Sequence, residues 1–103
     1  MIHQGDIVLK PLNGVSQLKF AFERKDFVVQ GERTGHNHIM KQVLVSELTR
    51  PQTFGIRQGS EARLIHVEQE TELTHPQHET VKVPAGLYVT YRVRDWGQAR
   101  FGD

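Results

Sequence analysis

Two short clusters hold four of the six histidines in this 103-residue chain: Gly35-His36-Asn37-His38 and Thr74-His75-Pro76-Gln77-His78. Alternate side chains on a β-strand share a face. If residues 36–40 are extended, His36, His38 and Met40 lie on one face, with Asn37 and Ile39 on the other. An H-x-H so placed projects two imidazoles side by side, and a second pair from a neighbouring segment can close a metal site. Neutral imidazole is the commonest protein metal ligand. Four such groups, or three with a carboxylate, suit Zn²⁺, Ni²⁺, Mn²⁺ or Fe²⁺. His75 and His78 are three residues apart, an odd spacing that a regular strand divides between its two faces. The second pair therefore needs a bend, and Pro76 favours one. Glu32 and Glu79 lie close in sequence and are the candidate general bases, moving a proton for a metal-activated water. A complete shell of His36, His38, His75 and His78 would leave no open tetrahedral position and would point to a structural or storage role.

The segments that must carry these side chains read as short strands. Ile7-Val8-Leu9-Lys10 is an apolar run ended by Pro11 and the turn residues Asn13-Gly14. Residues 15–25 fit a strand or a helical face, and extended structure is the reading adopted. Strands are predicted over 26–30, within 36–48, over 53–57, 63–68 and 71–74. The runs 79–83 and 87–94 form a hairpin about Pro84-Ala85-Gly86. In the last run Leu87, Val89, Tyr91 and Val93 share one face, and Tyr88, Thr90, Arg92 and Arg94 the other. The tail 95–103 is expected to pack locally. Seven to nine short strands with frequent turns predict one all-β domain over 1–103, a small β-barrel or β-sandwich.

Composition narrows the function classes. Cysteine is absent, which excludes disulfides and thiolate metal ligands. Formal net charge is +1, from 13 Lys and Arg against 12 Asp and Glu, so the overall field gives no argument for nucleic acid or an anionic membrane. Arg92, Arg94 and Arg100, near Tyr88 and Trp96, make either a small basic and aromatic surface or a solvated strand face, and the second is the simpler reading. No apolar run approaches the roughly 20 residues that span a bilayer. Met1 to Asp6 lacks the pattern of a secretory signal, so a cytoplasmic location is expected. His66, within Leu64-Ile65-His66-Val67, reads as a strand residue rather than a ligand. A metal-free phosphodiesterase with two catalytic histidines would carry H-x-[ST] twice, and this chain has it only at His78-Glu79-Thr80.

The order Gln4-Gly5-Asp6, Gly31-Glu32-x-x-Gly35-His36-x-His38, Leu73-x-His75-x-x-His78 and Pro84-x-Gly86-x-Tyr88 resembles a family of short, largely uncharacterised bacterial and phage proteins. The resemblance covers most of the chain apart from 11–25 and 46–62. It implies that the histidines matter and assigns them no activity. The Gly-x-His-x-His piece is also similar to the first metal motif of cupins, which implies a cupin-like scaffold as one form of the all-β domain. Cupins follow that motif with a glutamate, whereas this chain continues Ile39-Met40-Lys41-Gln42 and reaches its first acid at Glu47. The resulting expectation is a β-domain with a histidine-based divalent-metal site, acting as a metal-dependent hydrolase or cupin-like enzyme on a small molecule. The competing expectation is a non-catalytic module of bacterial or phage origin that binds a protein partner. Pairing into a homodimer through an edge strand fits either.

Overall fold

The computed structural model describes residues 1–13, 20–31, 35–57 and 61–95. Among the described residues eight strands follow in order: β1 Ile2–Gln4, β2 Ile7–Pro11, β3 Glu23–Gln30, β4 Asn37–Glu47, β5 Arg63–Val67, β6 Thr71–His75, β7 His78–Val83 and β8 Gly86–Arg92. All pairings are antiparallel, in the sheet order β1-β2-β8-β5-β4-β6-β7, with β3 laid along β4. β1 packs beside β7, which brings the two ends of the path together and nearly closes a barrel. The domain is therefore all-β and barrel-shaped, as the period-two runs and their turn residues predict.

The sheet buries both faces, because adjacent residues of single strands enter different clusters. Ile7, Leu9, Ile65 and Tyr88 join Phe27, Met40, Val43, Val45, Leu73 and Val83 in the larger core. Val8, Leu64, Val89 and Tyr91 face the other way and pack with Ile56, covered by Phe20, Phe22, Leu48 and Phe54. This explains why β8 is buried at every position from Tyr88 to Arg92 instead of alternating. The solvated strand face expected for Arg92, Arg94 and Arg100 near Tyr88 is thus corrected in part: Arg92 and Tyr88 are buried, Arg94 is exposed, and Arg100 lies outside the described residues.

Three boundaries also differ from the expectation. Residues 51–54 form a 3-10 turn begun by Pro51 in place of the strand expected over 53–57, since proline presets the helical φ and lacks a donor for a ladder. β8 ends at Arg92, and Val93–Asp95 make a second 3-10 turn. The short β1 was not foreseen, because three residues carry too little periodicity. The expected tail over 96–103 and residues 15–19 of the ambiguous segment lie outside the described residues.

One irregularity sets the direction of the histidine strand. Gln42 has φ +53°, and the β3–β4 register shifts between Lys25 and Phe27. Asp26 Oδ1 accepts the Gln42 backbone N–H at 2.9 Å and its side-chain Nε2 at 3.1 Å. An inserted residue changes the phase of the strand. His38 and Met40 therefore point inward before the bulge, and Val43 and Val45 after it. Among the described residues no helix is long and apolar enough to cross a membrane.

Candidate metal centre

Two hairpin turns and the start of β4 meet at the histidines. β1 and β2 are joined by the two-residue turn Gly5-Asp6, with Gln4 paired to Ile7 and φ +57° at Gly5. β4 begins at Asn37, and just before it the His36 carbonyl accepts the Gly31 N–H at 2.7 Å. β6 and β7 are joined through Pro76-Gln77, with His75 paired to His78 across the turn. The bend at Pro76 is thus a tight hairpin, and it sets the two rings side by side.

All four rings of the two clusters lie together. Ring centroids are 4.5 Å apart for His38–His75 and His75–His78, 5.9 Å for His38–His78 and 6.1 Å for His36–His75. His38 is fully buried and His75 is 6% exposed, whereas His36 and His78 are open to solvent. A cleft of about 530 Å³, lined in part by Gly35, His36, Thr74 and Pro76, opens beside them. Among the described residues no three His, Asp or Glu side chains already stand in a metal-ligating arrangement.

Hydrogen bonds decide what each nitrogen can do. The Gln4 side-chain Nε2 donates to the Leu73 carbonyl at 2.8 Å and to the Glu79 carbonyl at 2.9 Å. Only the amide nitrogen can face two carbonyls, so Oε1 must point at His38 Nδ1, 2.9 Å away. His38 therefore carries a proton on Nδ1, and its Nε2 stands 3.2 Å from Asp6 Oδ1. His75 is the reverse: its Nδ1 accepts the Gln77 backbone N–H at 3.0 Å, so the neutral ring is protonated on Nε2. Both nitrogens of His38 thus meet a side-chain oxygen, that of Gln4 and that of Asp6.

Burial favours the neutral form of His38 and His75. Burial is the largest influence lowering the His38 pKa, with His75 and His78 adding to it against the raising effect of Asp6. Burial likewise leads in lowering His75, helped by His78 and His36. Asp6 runs the other way. Burial acts to raise its pKa, but the hydrogen bond and charge of Arg92, with its own backbone N–H and the hydrogen bond to His38, outweigh that and hold it below 3.8. Arg92 donates from Nη1 to Asp6 Oδ2 at 2.6 Å, and from Nη2 to the Gln30 carbonyl at 2.8 Å and Glu61 Oε1 at 3.1 Å.

The two carboxylates proposed as bases fare differently. Glu79 follows His78 on β7, so its side chain leaves the opposite face of the strand, and it is exposed. It contributes its carbonyl, through Gln4. Glu32 lies outside the described residues. The groups that sequence reasoning passed over are Gln4, Asp6 and Arg92. Gln4-Gly5-Asp6 was visible as a motif, but nothing local placed it against the histidines.

His66, on β5, packs against the Phe22 ring at 6.2 Å, away from the cluster. No curated protein and no solved structure matches this chain. A family described only as a domain of unknown function, DUF8820, matches residues 3–94. By that match, which spans nearly all of the barrel, the chain belongs to the DUF8820 family.

Proposed function

We propose that this protein binds one divalent transition metal at the histidine cluster, with His38 as the buried ligand, His78 as the exposed one, and His36 and His75 lining the site. The observation that carries the reading is the enforced orientation of His38. A metal-ligating histidine characteristically donates its second ring N–H to a fixed acceptor, which sets the tautomer and aims the free lone pair. Gln4, held by two backbone carbonyls, does this here. Rings that are kept neutral are ready to ligate without first losing a proton.

Cysteine is absent, so the donors are nitrogen and oxygen, suited to Zn²⁺, Ni²⁺, Mn²⁺ or Fe²⁺. His78 must turn about its side-chain torsions to join His38, which an exposed ring does at small cost. His75, with its Nδ1 taken by Gln77, serves as a wall of the site. Solvent access on the His36 and His78 side leaves room for water or a small molecule at the ion.

The test is metal stripping followed by reconstitution. Wild-type protein should retain about one ion per chain, and its Tm should rise with added metal, since an ion at 100 times its Kd stabilises the fold by about 2.7 kcal/mol. His78→Ala should keep its apo Tm and lose most of the metal-dependent rise. Binding should weaken below about pH 6, where imidazole protonates. No retained metal and no Tm shift with any of the four ions would falsify the reading.

A further inference from the structure

The two halves of β4 follow opposite alternations. His38 and Met40, at even positions, are buried, and so are Val43 and Val45, at odd ones. A regular strand sends alternate residues to one face, so it can turn only one of these sets inward. With Val43 and Val45 in the larger core, an uninterrupted β4 would turn Ile39 and Lys41 inward and His38 out to solvent. His38 faces the cluster only because a residue is inserted between the two halves.

That insertion is held from β3. Lys25 pairs with Val43 and Phe27 with Met40, so Asp26 alone stands opposite Lys41 and Gln42. Gln42, at φ +53°, adopts a left-handed conformation that strains any residue with a Cβ and suits glycine. Asp26 and Gln42 are both exposed, so core packing does not impose that conformation. A clamp of hydrogen bonds does. Asp26 Oδ1 accepts both the backbone N–H and the side-chain Nε2 of Gln42, and Arg24 Nη1 donates to the Gln42 carbonyl at 3.2 Å. Arg24 is paired in turn with Glu68, just after β5.

Resting on the metal reading above for the use made of His38, we propose that Asp26 is a positioning residue of the histidine site. By fixing Gln42 in the left-handed conformation it sets the phase of β4 and turns His38 inward. It acts through the backbone of β4, beyond Met40, rather than through the rings.

Carbethoxylation by diethyl pyrocarbonate in EDTA, read residue by residue by peptide mass spectrometry, reports the phase of β4 without any metal. In the wild type the buried His38 should react far more slowly than the exposed His36. Asp26→Ala should raise the His38 rate by at least about 10-fold, toward that of His36, a factor that one or two lost hydrogen bonds supply. Asp26→Asn keeps the acceptor oxygen and should stay slow. The deciding variant is Asp26→Ala/Gln42→Gly. Glycine takes the left-handed conformation without a clamp, so His38 should be protected again. A general loosening of the fold would not be repaired in this way, because glycine adds freedom to the unfolded chain. A chain that folds only as the double variant makes the same case. Co²⁺ affinity, by titration calorimetry, should fall and recover in the same order. A His38 as slow in Asp26→Ala as in the wild type, or no recovery with Gln42→Gly, would overturn the clamp and leave the metal reading intact. Ring protection in the expected order, in a protein that takes up no Co²⁺, would uphold the clamp and sink the metal reading.

Discussion

Replacement of Gln4 by leucine isolates the contact that closes the barrel. β1 and β7 are neighbours without a ladder between them among the described residues, and the Gln4 side chain bridges the gap. It is 3% exposed and makes three hydrogen bonds, to the Leu73 and Glu79 carbonyls and from His38 Nδ1. Leucine has nearly the same volume, so the packing term is small and the polar term dominates. Each lost bond is worth about 1 kcal/mol net, and a buried partner left unsatisfied adds to that, within about 1–3 kcal/mol per group. The expected cost is about 3–5 kcal/mol, measured by urea denaturation in EDTA at pH 7.5. At about 4–8 °C per kcal/mol for a domain of this size, Tm should fall by more than about 12 °C. Hydrogen exchange should quicken first at the β1 and β7 backbone amides, where the bridge is lost. Gln4→Glu offers a control, because a carboxylate can accept from His38 but presents no donor to the two carbonyls. It should be at least as unstable as Gln4→Leu at pH 7.5. A loss below about 1 kcal/mol in Gln4→Leu, with exchange unchanged along the seam, would refute the bridging role and with it the argument that fixes the His38 tautomer.

Two further outcomes follow from the same neighbourhood. Gly5→Ala places a Cβ in a left-handed conformation and against the His78 ring, so it should cost about 1–2 kcal/mol in an EDTA melt and weaken metal binding by displacing His78. An alanine variant with wild-type Tm and wild-type metal affinity would mean that the turn does not touch the site as described. The stability of the apo protein should depend on pH through His38 and His75, whose folded-state pKa values lie below the ordinary 6.5. The unfolded chain then binds more protons, so stability is greatest above about pH 6.5 and declines as pH falls toward the folded values. Asp6, depressed below 3.8, adds its own loss only in stronger acid. Urea midpoints at pH 7.5 and pH 5.0 in EDTA test this, and a midpoint that holds or rises on acidification contradicts it.

Local chemistry made much of this protein legible in its sequence. Period-two runs broken by glycine and proline specify strands and turns, because side-chain alternation and turn dihedrals are properties of a few consecutive residues. The H-x-H at His36 and His38 and the bend at Pro76 are legible for the same reason, and so is the exclusion of thiolate chemistry. The partners of those histidines were not. Asp6 meets Arg92 across 86 positions and His38 across 32, and Gln4 meets Leu73 across 69. No local pattern encodes such contacts; they exist because the β1–β2 turn folds over the mouth of the barrel. Arg92 shows the limit most plainly. Its type and its place in an alternating run argue for a solvated face, yet the sheet is covered on both sides and its guanidinium lies buried against Asp6. Residue types nominated the histidines, while tertiary packing chose which nitrogens point inward, which carboxylate meets them and what holds it there.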